Sequence, residues 1–78
     1  MIDYKVFGDI LREYRQNKGI TQEVLSGLAD VDTSYLGKIE SGLMNPTLNI
    51  LYKITDTLGI RLSDILRKAE EIESKEKH

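Results

Sequence analysis

The residues best suited to chemistry are hydroxyl, amide and ammonium side chains in the middle of the chain. Thr33 and Ser34 fall at the expected start of a short helix, and Lys38 follows one turn later. Such side chains form hydrogen bonds with base edges in the DNA major groove, where lysine selects guanine and serine or threonine discriminate less. The pattern therefore indicates recognition of a ligand surface rather than bond making or breaking.

Catalytic and metal-binding sites find little support in the sequence. The only histidine is His78, the last residue, and there is no cysteine, so a histidine-based triad or a zinc site lacks its residues. No glycine-rich phosphate loop occurs. Glu70, Glu71 and Glu73 are neighbours, but a charge run on a terminal helix is usually a solvated surface. We expect no enzyme activity, no cofactor, no metal and no small-molecule ligand.

Length and charge limit the possible classes of protein. The 78 residues suffice for one domain, which buries only about 60–65% of its unfolded surface. The net charge of −2 counts against a generic nucleic-acid binder, because such domains are usually basic. No apolar run approaches the ~20 residues of a membrane span, and no targeting signal is evident. We expect a soluble, cytoplasmic protein that does not bind membranes.

Apolar spacing and capping residues predict an all-α domain with no β-strand signal. The predicted N-caps are Asp3, Thr21, Thr47 and either Asp32 or Thr33. The predicted helices run from about Tyr4 to Lys18, Gln22 to Ala29, Thr33 to Ser41, Leu48 to Leu58 and Leu62 onward. The domain is expected to cover residues 1–73, followed by a frayed polar tail at residues 74–78.

The same spacing predicts which side chains are buried. In the second helix the expected stripe is Val24, Leu25 and Leu28. In the fourth helix it comprises Leu48, Leu51, Ile54, Thr55 and Leu58.

The second and third helices form the pair that must position the polar residues. A helix-turn-helix needs two helices crossing at about 90–120° around a short turn. Leu25, Ser26 and Ala29 suit the crossing. Asp30 is expected to take a left-handed or bridging conformation in the turn, which Asp tolerates better than most non-glycine residues. This packing would leave the outer face of the third helix free to enter the major groove.

The order and spacing of several motifs resemble one known family. They are Leu11-Arg-x-x-Arg15, Lys18-Gly-Ile-Thr-Gln-Glu-x-Leu25, Ala29-x-Val31, Ser34-Tyr-Leu-x-x-Ile-Glu-x-Gly42, Asn45-Pro-Thr47 and Leu48-x-x-Leu51 through Leu58-Gly-Ile60. The chain looks like the phage repressor–Cro type helix-turn-helix family, also called the xenobiotic-response-element type, over about residues 5–67. The resemblance implies a compact five-helix lambda-repressor-like DNA-binding domain, with Gln22 to Ala29 as positioning helix and Thr33 to Ser41 as reader helix.

The resemblance also implies site residues. Thr33, Ser34 and Lys38 would touch bases. The DNA backbone would be held by Gln22, Tyr35, Asn45 and Thr47, and Arg15 with Glu40 would form a partly buried structural ion pair. Several of these residues have an ordinary alternative role. Thr33 and Ser34 could be capping residues, Tyr35 a cover for the core edge, and Lys38 a solvated lysine. Arg15 and Glu40 could be an exposed ion pair worth under ~1 kcal/mol.

The sequence departs from the family pattern near the helix crossing and the reader helix. Asp30 stands where glycine is usual, and Ser26 stands where alanine is usual. The reader helix carries only one cation, Lys38, and the acidic Asp32 precedes it. A single copy should therefore bind DNA weakly.

The fourth and fifth helices carry more apolar residues than one small bundle can bury. Ile50, Ile65, Leu66, Ala69 and Ile72 cannot all point inward, and we expect a homodimer interface that includes Ile50, Ile65, Leu66 and Ala69. A two-fold dimer would place two reader helices about 34 Å apart, in successive major grooves. The double-stranded DNA site is therefore expected to be an inverted repeat.

These features predict a sequence-specific transcriptional regulator, such as a repressor. A domain with no attached sensor suggests control by protein concentration. Its size and fifth helix resemble the controller proteins of restriction–modification operons. Phage immunity regulators and antitoxins remain alternatives, as does a protein–protein interaction module that has lost DNA contact.

Overall fold

Five α-helices make up the computed structural model, which describes residues 2–76. They are α1 (Tyr4–Asn17), α2 (Gln22–Ala29), α3 (Thr33–Glu40), α4 (Leu48–Leu58) and α5 (Leu62–Glu76). No strand occurs within residues 2–76, and the predicted all-α, five-helix class is confirmed. Helix α5 continues three residues past the predicted end of the domain at residue 73, so residues 74–76 are helical. Lys77 and His78 lie outside the described residues.

Side-chain caps define where the helices begin. The Asp3 carboxylate accepts hydrogen bonds from two amides of the first turn of α1. Thr21 caps α2 and Thr47 caps α4, each through its hydroxyl oxygen. For α3 the cap is Asp32, which accepts from the amide of Tyr35 at 3.1 Å. The predicted caps are confirmed, and each contributes about 1 kcal/mol by satisfying an otherwise unpaired amide.

The turn between α2 and α3 depends on one left-handed residue. Asp30 has φ 56° and ψ 50°, and it is the one non-glycine residue with positive φ among those described. Its amide, and that of Val31, donate to the carbonyl of Ser26. The sequence left a left-handed and a bridging conformation open for Asp30, and the structure has the left-handed one. It ends α2 and reverses the chain so that α3 crosses back over it.

Side chains from all five helices meet in one core. Its buried apolar members are Phe7, Ile10, Leu11, Leu25, Ala29, Leu36, Ile39, Ile54, Leu58, Leu62, Ile65 and Ala69. Helix α1 packs so closely on the end of α3 that a Cβ added at Gly8 would meet the backbone carbonyl of Glu40. The core therefore holds α2 and α3 from behind and leaves their far sides to solvent.

Three side chains that were predicted to be buried are exposed. Val24 and Leu28 are 45% and 68% exposed, and Leu48 is 64% exposed. In α2 two stripes share helical spacing, and the one that faces the other helices runs through Leu25 and Ala29. A helix of two turns shows the spacing of both stripes but not which of them faces the core.

The predicted dimer interface is wrong at two positions. Ile65 is fully buried and Ala69 is 3% exposed inside a single copy, because α5 packs along α1 and directs this face into the core. Neither side chain can therefore reach a second copy. Ile50 and Leu66 are half-buried and remain partly accessible.

Within the described residues, no helix has the length and apolar character needed to cross a membrane.

Candidate nucleic-acid interface

Helix α3 has one buried side and one accessible polar side. Leu36, Ile39 and Glu40 face the interior. On the other side Ser34 and Lys38 are exposed, and Thr33 is half-buried. The structure thus brings the three predicted base-contacting residues together on one accessible face, whose donors and acceptors suit the floor of a major groove.

The first turn of α2 abuts this face. Gln22 opens the helix, and its Nε2 donates to Oε1 of Glu40 at 3.0 Å. A Cβ added at Gly37 would lie 3.5 Å from the Gln22 side-chain oxygen, so the Gln22 side chain lies beside the middle of α3. The amides of Gln22 and Glu23 precede the first intrahelical hydrogen bonds and point outward, as donors for an anion.

Behind the two helices lies a buried ionic network centred on Glu40. Its carboxylate is fully buried and accepts from Arg15 Nε at 2.7 Å and Arg15 Nη2 at 3.0 Å. Arg12 lies at the edge, with Nε 3.5 Å from Oε1. The hydrogen bond with Glu40 raises the pKa of Arg15 above its usual value, so the arginine stays charged. Arg15 and Glu40 therefore form the predicted structural pair, and Gln22 joins it to α2.

A second polar link at the helix crossing was not predicted from the sequence. The buried Ser26 hydroxyl lies 2.5 Å from the Thr33 hydroxyl and 3.0 Å from the carbonyl of Glu23. It joins the middle of α2 to the first residue of the reader helix. The only sequence signal was that serine stands where alanine is usual, which does not show what the hydroxyl contacts.

The remaining predicted contacts lie at the edges of this face. Asn45 and Thr47 are exposed in the loop between α3 and α4, and the Thr47 oxygen is occupied as a helix cap. Tyr35 is half-buried and packs against the core, so its ring covers the core edge whatever its hydroxyl contacts.

The charge of the face is low. Lys38 is the one cation in α2 or α3, and Asp32 directs its carboxylate at an amide of its own helix. Among residues 2–76, no group of three acidic, histidine or cysteine side chains could hold a metal ion. The face therefore offers neutral hydrogen-bonding groups, one ammonium and the end of a helix.

Known proteins with a helix-turn-helix resemble this chain in sequence and in structure. A family model described as helix-turn-helix matches residues 11–65. The HTH-type transcriptional regulator DdrOP3 of Deinococcus deserti is 37% identical over 60 residues, which cover 77% of this chain and 46% of that protein. The chain thus spans about half the length of that regulator.

Two controller proteins match over most of their length. The control protein C.MunI of a Mycoplasma species is 38% identical over 90% of this chain and 97% of its own length. The crystal structure of the restriction-modification controller protein C.AhdI from Aeromonas hydrophila superimposes with a TM-score of 0.79 at 38% identity. That match covers 81% of this chain and 96% of C.AhdI.

Proposed function

The chain belongs to the helix-turn-helix family, and from this we propose that it regulates transcription as a homodimer bound to an inverted-repeat operator. Its relatives are transcriptional regulators, among them controller proteins. Helix α3 enters the major groove in each half-site, and the regulator acts in the cytoplasm.

The observation that carries this proposal is the two-sided character of α3. Its inner side chains are held by the core and by the Glu40 network, while Thr33, Ser34 and Lys38 share the accessible side. A rigid helix with short polar side chains can approach base edges closely. Lys38 supplies a donor for guanine, and the two hydroxyls supply shorter-range contacts.

The backbone contacts come from the elements on either side. The outward amides at the start of α2 bind one phosphate, assisted by Gln22, whose second Nε2 hydrogen is left after the bond to Glu40. Asn45 and Thr47 bind a phosphate on the other side of the reader helix. Such contacts fix the register of the protein on the duplex without reading sequence.

Dimerisation rests on an apolar surface that the sequence did not identify. Leu43, Met44, Leu48 and Tyr52 are 75%, 36%, 64% and 53% exposed; they lie in the loop before α4 and on its first two turns. We assign the two-fold interface to this surface. Pairing there doubles the phosphate contacts, which compensates for a reader helix with a single cation.

The regulated genes are proposed to form a restriction–modification operon. The support is the 38% identity to C.MunI over nearly the whole of both chains, together with the same identity to C.AhdI. Control by the concentration of the protein fits this role, because dimer formation makes binding depend steeply on the amount of protein.

Selection of bound sites from random double-stranded DNA tests the proposal. The expected product is an inverted repeat with half-site centres about 10 base pairs apart. In a salt titration of the selected site, log affinity should fall with log salt concentration by about 0.9 per phosphate neutralised. Failure to enrich any site, or binding that does not change with salt, would refute DNA recognition.

A further inference from the structure

The contact between the Ser26 and Thr33 hydroxyls bears on which bases α3 recognises in DNA. It rests on the proposed DNA recognition and concerns the first residue of the reader helix. Ser26 is 3% exposed, whereas Thr33 is half-buried at the accessible face. One member of the pair is therefore hidden in the helix crossing, and the other reaches the surface.

The direction of the hydrogen bond follows from counting hydrogens. A serine hydroxyl has one hydrogen and accepts through its lone pairs. Ser26 donates its hydrogen to the carbonyl of Glu23 at 3.0 Å. The 2.5 Å contact between the two hydroxyls then requires Thr33 to donate to Ser26. The Thr33 hydrogen is then directed toward Ser26, and both lone pairs of the Thr33 oxygen stay available to accept hydrogen bonds.

We propose that Ser26 is a specificity-determining residue, because it makes Thr33 an acceptor that reads the amino group of adenine or cytosine. In the major groove adenine presents the N6 amino group and cytosine the N4 amino group, while guanine and thymine present carbonyl oxygens at the corresponding place. A hydroxyl free to rotate would bind either kind of group. Held by Ser26, Thr33 accepts from an amino group and places a lone pair against a carbonyl oxygen.

Ser26 thus acts as a positioning residue and does not touch DNA. Its effect should appear at one position of the half-site and nowhere else. Because a neutral hydrogen bond is worth about 1 kcal/mol net, the preference for adenine or cytosine should be about fivefold at that position. The nearby Ser34 hydroxyl, which has no such inward partner among the described hydrogen bonds, should show no comparable preference.

The test is site selection from random DNA with the full 78-residue chain and three variants: Ser26→Ala, Thr33→Val and the double variant. The wild type should enrich adenine or cytosine at one position. Ser26→Ala should flatten that position alone, because the freed hydroxyl accepts or donates equally. Thr33→Val keeps the shape and removes the hydroxyl, so it should also abolish the preference, and adding Ser26→Ala should change nothing further.

Several results would overturn the inference while leaving DNA recognition intact. These are an enriched site with guanine or thymine at that position, a Ser26→Ala variant with an unchanged profile, or a loss of affinity spread equally over all positions. Ser26→Ala should fold, because alanine is the usual residue at this position in the resembled family. Retention of the preference in Thr33→Val, which lacks the hydroxyl, would also overturn the inference. Enrichment of no site by the wild type would overturn the proposed function and the inference with it.

Discussion

Replacing Glu40 by glutamine should destabilise the fold by about 3 kcal/mol. The carboxylate is fully buried and accepts two hydrogen bonds from Arg15 and one from Gln22. The amide keeps the shape and one acceptor, but it removes the charge opposite a guanidinium that is only 8% exposed. Removing one partner of a buried pair costs about 3–5 kcal/mol, and the retained acceptor places this variant at the lower end.

Arg15→Met provides a matched comparison. After this change Glu40 still accepts from Gln22, and Arg12 lies close by with its Nε 3.5 Å away. The carboxylate therefore keeps a counter-ion, and the loss should be smaller, about 1–2 kcal/mol, which is between the values typical of exposed and of buried pairs. Glutamine at position 40 leaves both arginines without a carboxylate at that site, and so it should be the worse variant.

Urea unfolding followed by far-UV circular dichroism measures both losses by linear extrapolation. Protein concentration must be held constant, because the proposed dimer would contribute to apparent stability. A loss of about 3 kcal/mol corresponds to a fall in Tm of roughly 12–24 °C for a domain of this size. A cost below about 1 kcal/mol for Glu40→Gln, or a larger cost for Arg15→Met, would refute the reasoning.

The pH dependence of the free energy of unfolding tests the Arg15–Glu40 ion pair in a second way. The hydrogen bond with Glu40 raises the pKa of Arg15 in the folded state. A raised pKa contributes stability that is fully present below the unfolded pKa and lost only as pH rises through the folded value. Since both values lie far above neutrality, the stability difference between wild type and Arg15→Met should be constant from about pH 7 to about pH 10. A steady decline over this range would contradict the assignment.

Three further predictions concern separate parts of the molecule. Lys38→Ala should relax the preference at one base pair by roughly 1–3 kcal/mol in a binding assay with single-base variants of the selected site; equal weakening on every sequence would make Lys38 a phosphate contact. Leu48→Asp should yield monomers in sedimentation, whereas Leu28→Asp, equally exposed but outside the assigned interface, should not; the reverse pattern would move the interface to α2. Asp30→Gly should stabilise the fold by about 0.5–1 kcal/mol, because glycine adopts the left-handed conformation without strain. Gly59→Ala, at φ 70°, should destabilise it by about 1 kcal/mol for the converse reason. Denaturant midpoints that move the other way would show that the conformational entropy of the unfolded chain outweighs the strain.

The features that the sequence predicted correctly are local ones. Asp3, Thr21 and Thr47 cap helices because a side-chain oxygen reaches an amide two or three residues away. The positions where the five helices begin follow from the same short-range geometry. For this reason the helix-turn-helix, its family and the accessible face of α3 could be recognised from motif spacing alone.

The choices between helix faces could not be predicted. The stripe of Val24 and Leu28 and the stripe of Leu25 and Ala29 have equal spacing, and only the positions of α3 and α4 decide that the second is buried. Ile65 looked available for a dimer because periodicity does not show that α5 packs along α1.

The amino-acid sequence by itself determined where each helix begins, where α1 to α4 end to within one residue, and which polar residues fall on α3. Hydrogen bonds within a few residues set those features. Only the tertiary structure decided which side chains of α2 and α3 form hydrogen bonds with each other. Gln22 meets Glu40 across 18 positions, and Ser26 meets Thr33 across the turn. These contacts depend on the angle at which α2 and α3 cross, which the packing of the whole core sets. The proposed reading of an amino group by Thr33 rests on the second of them.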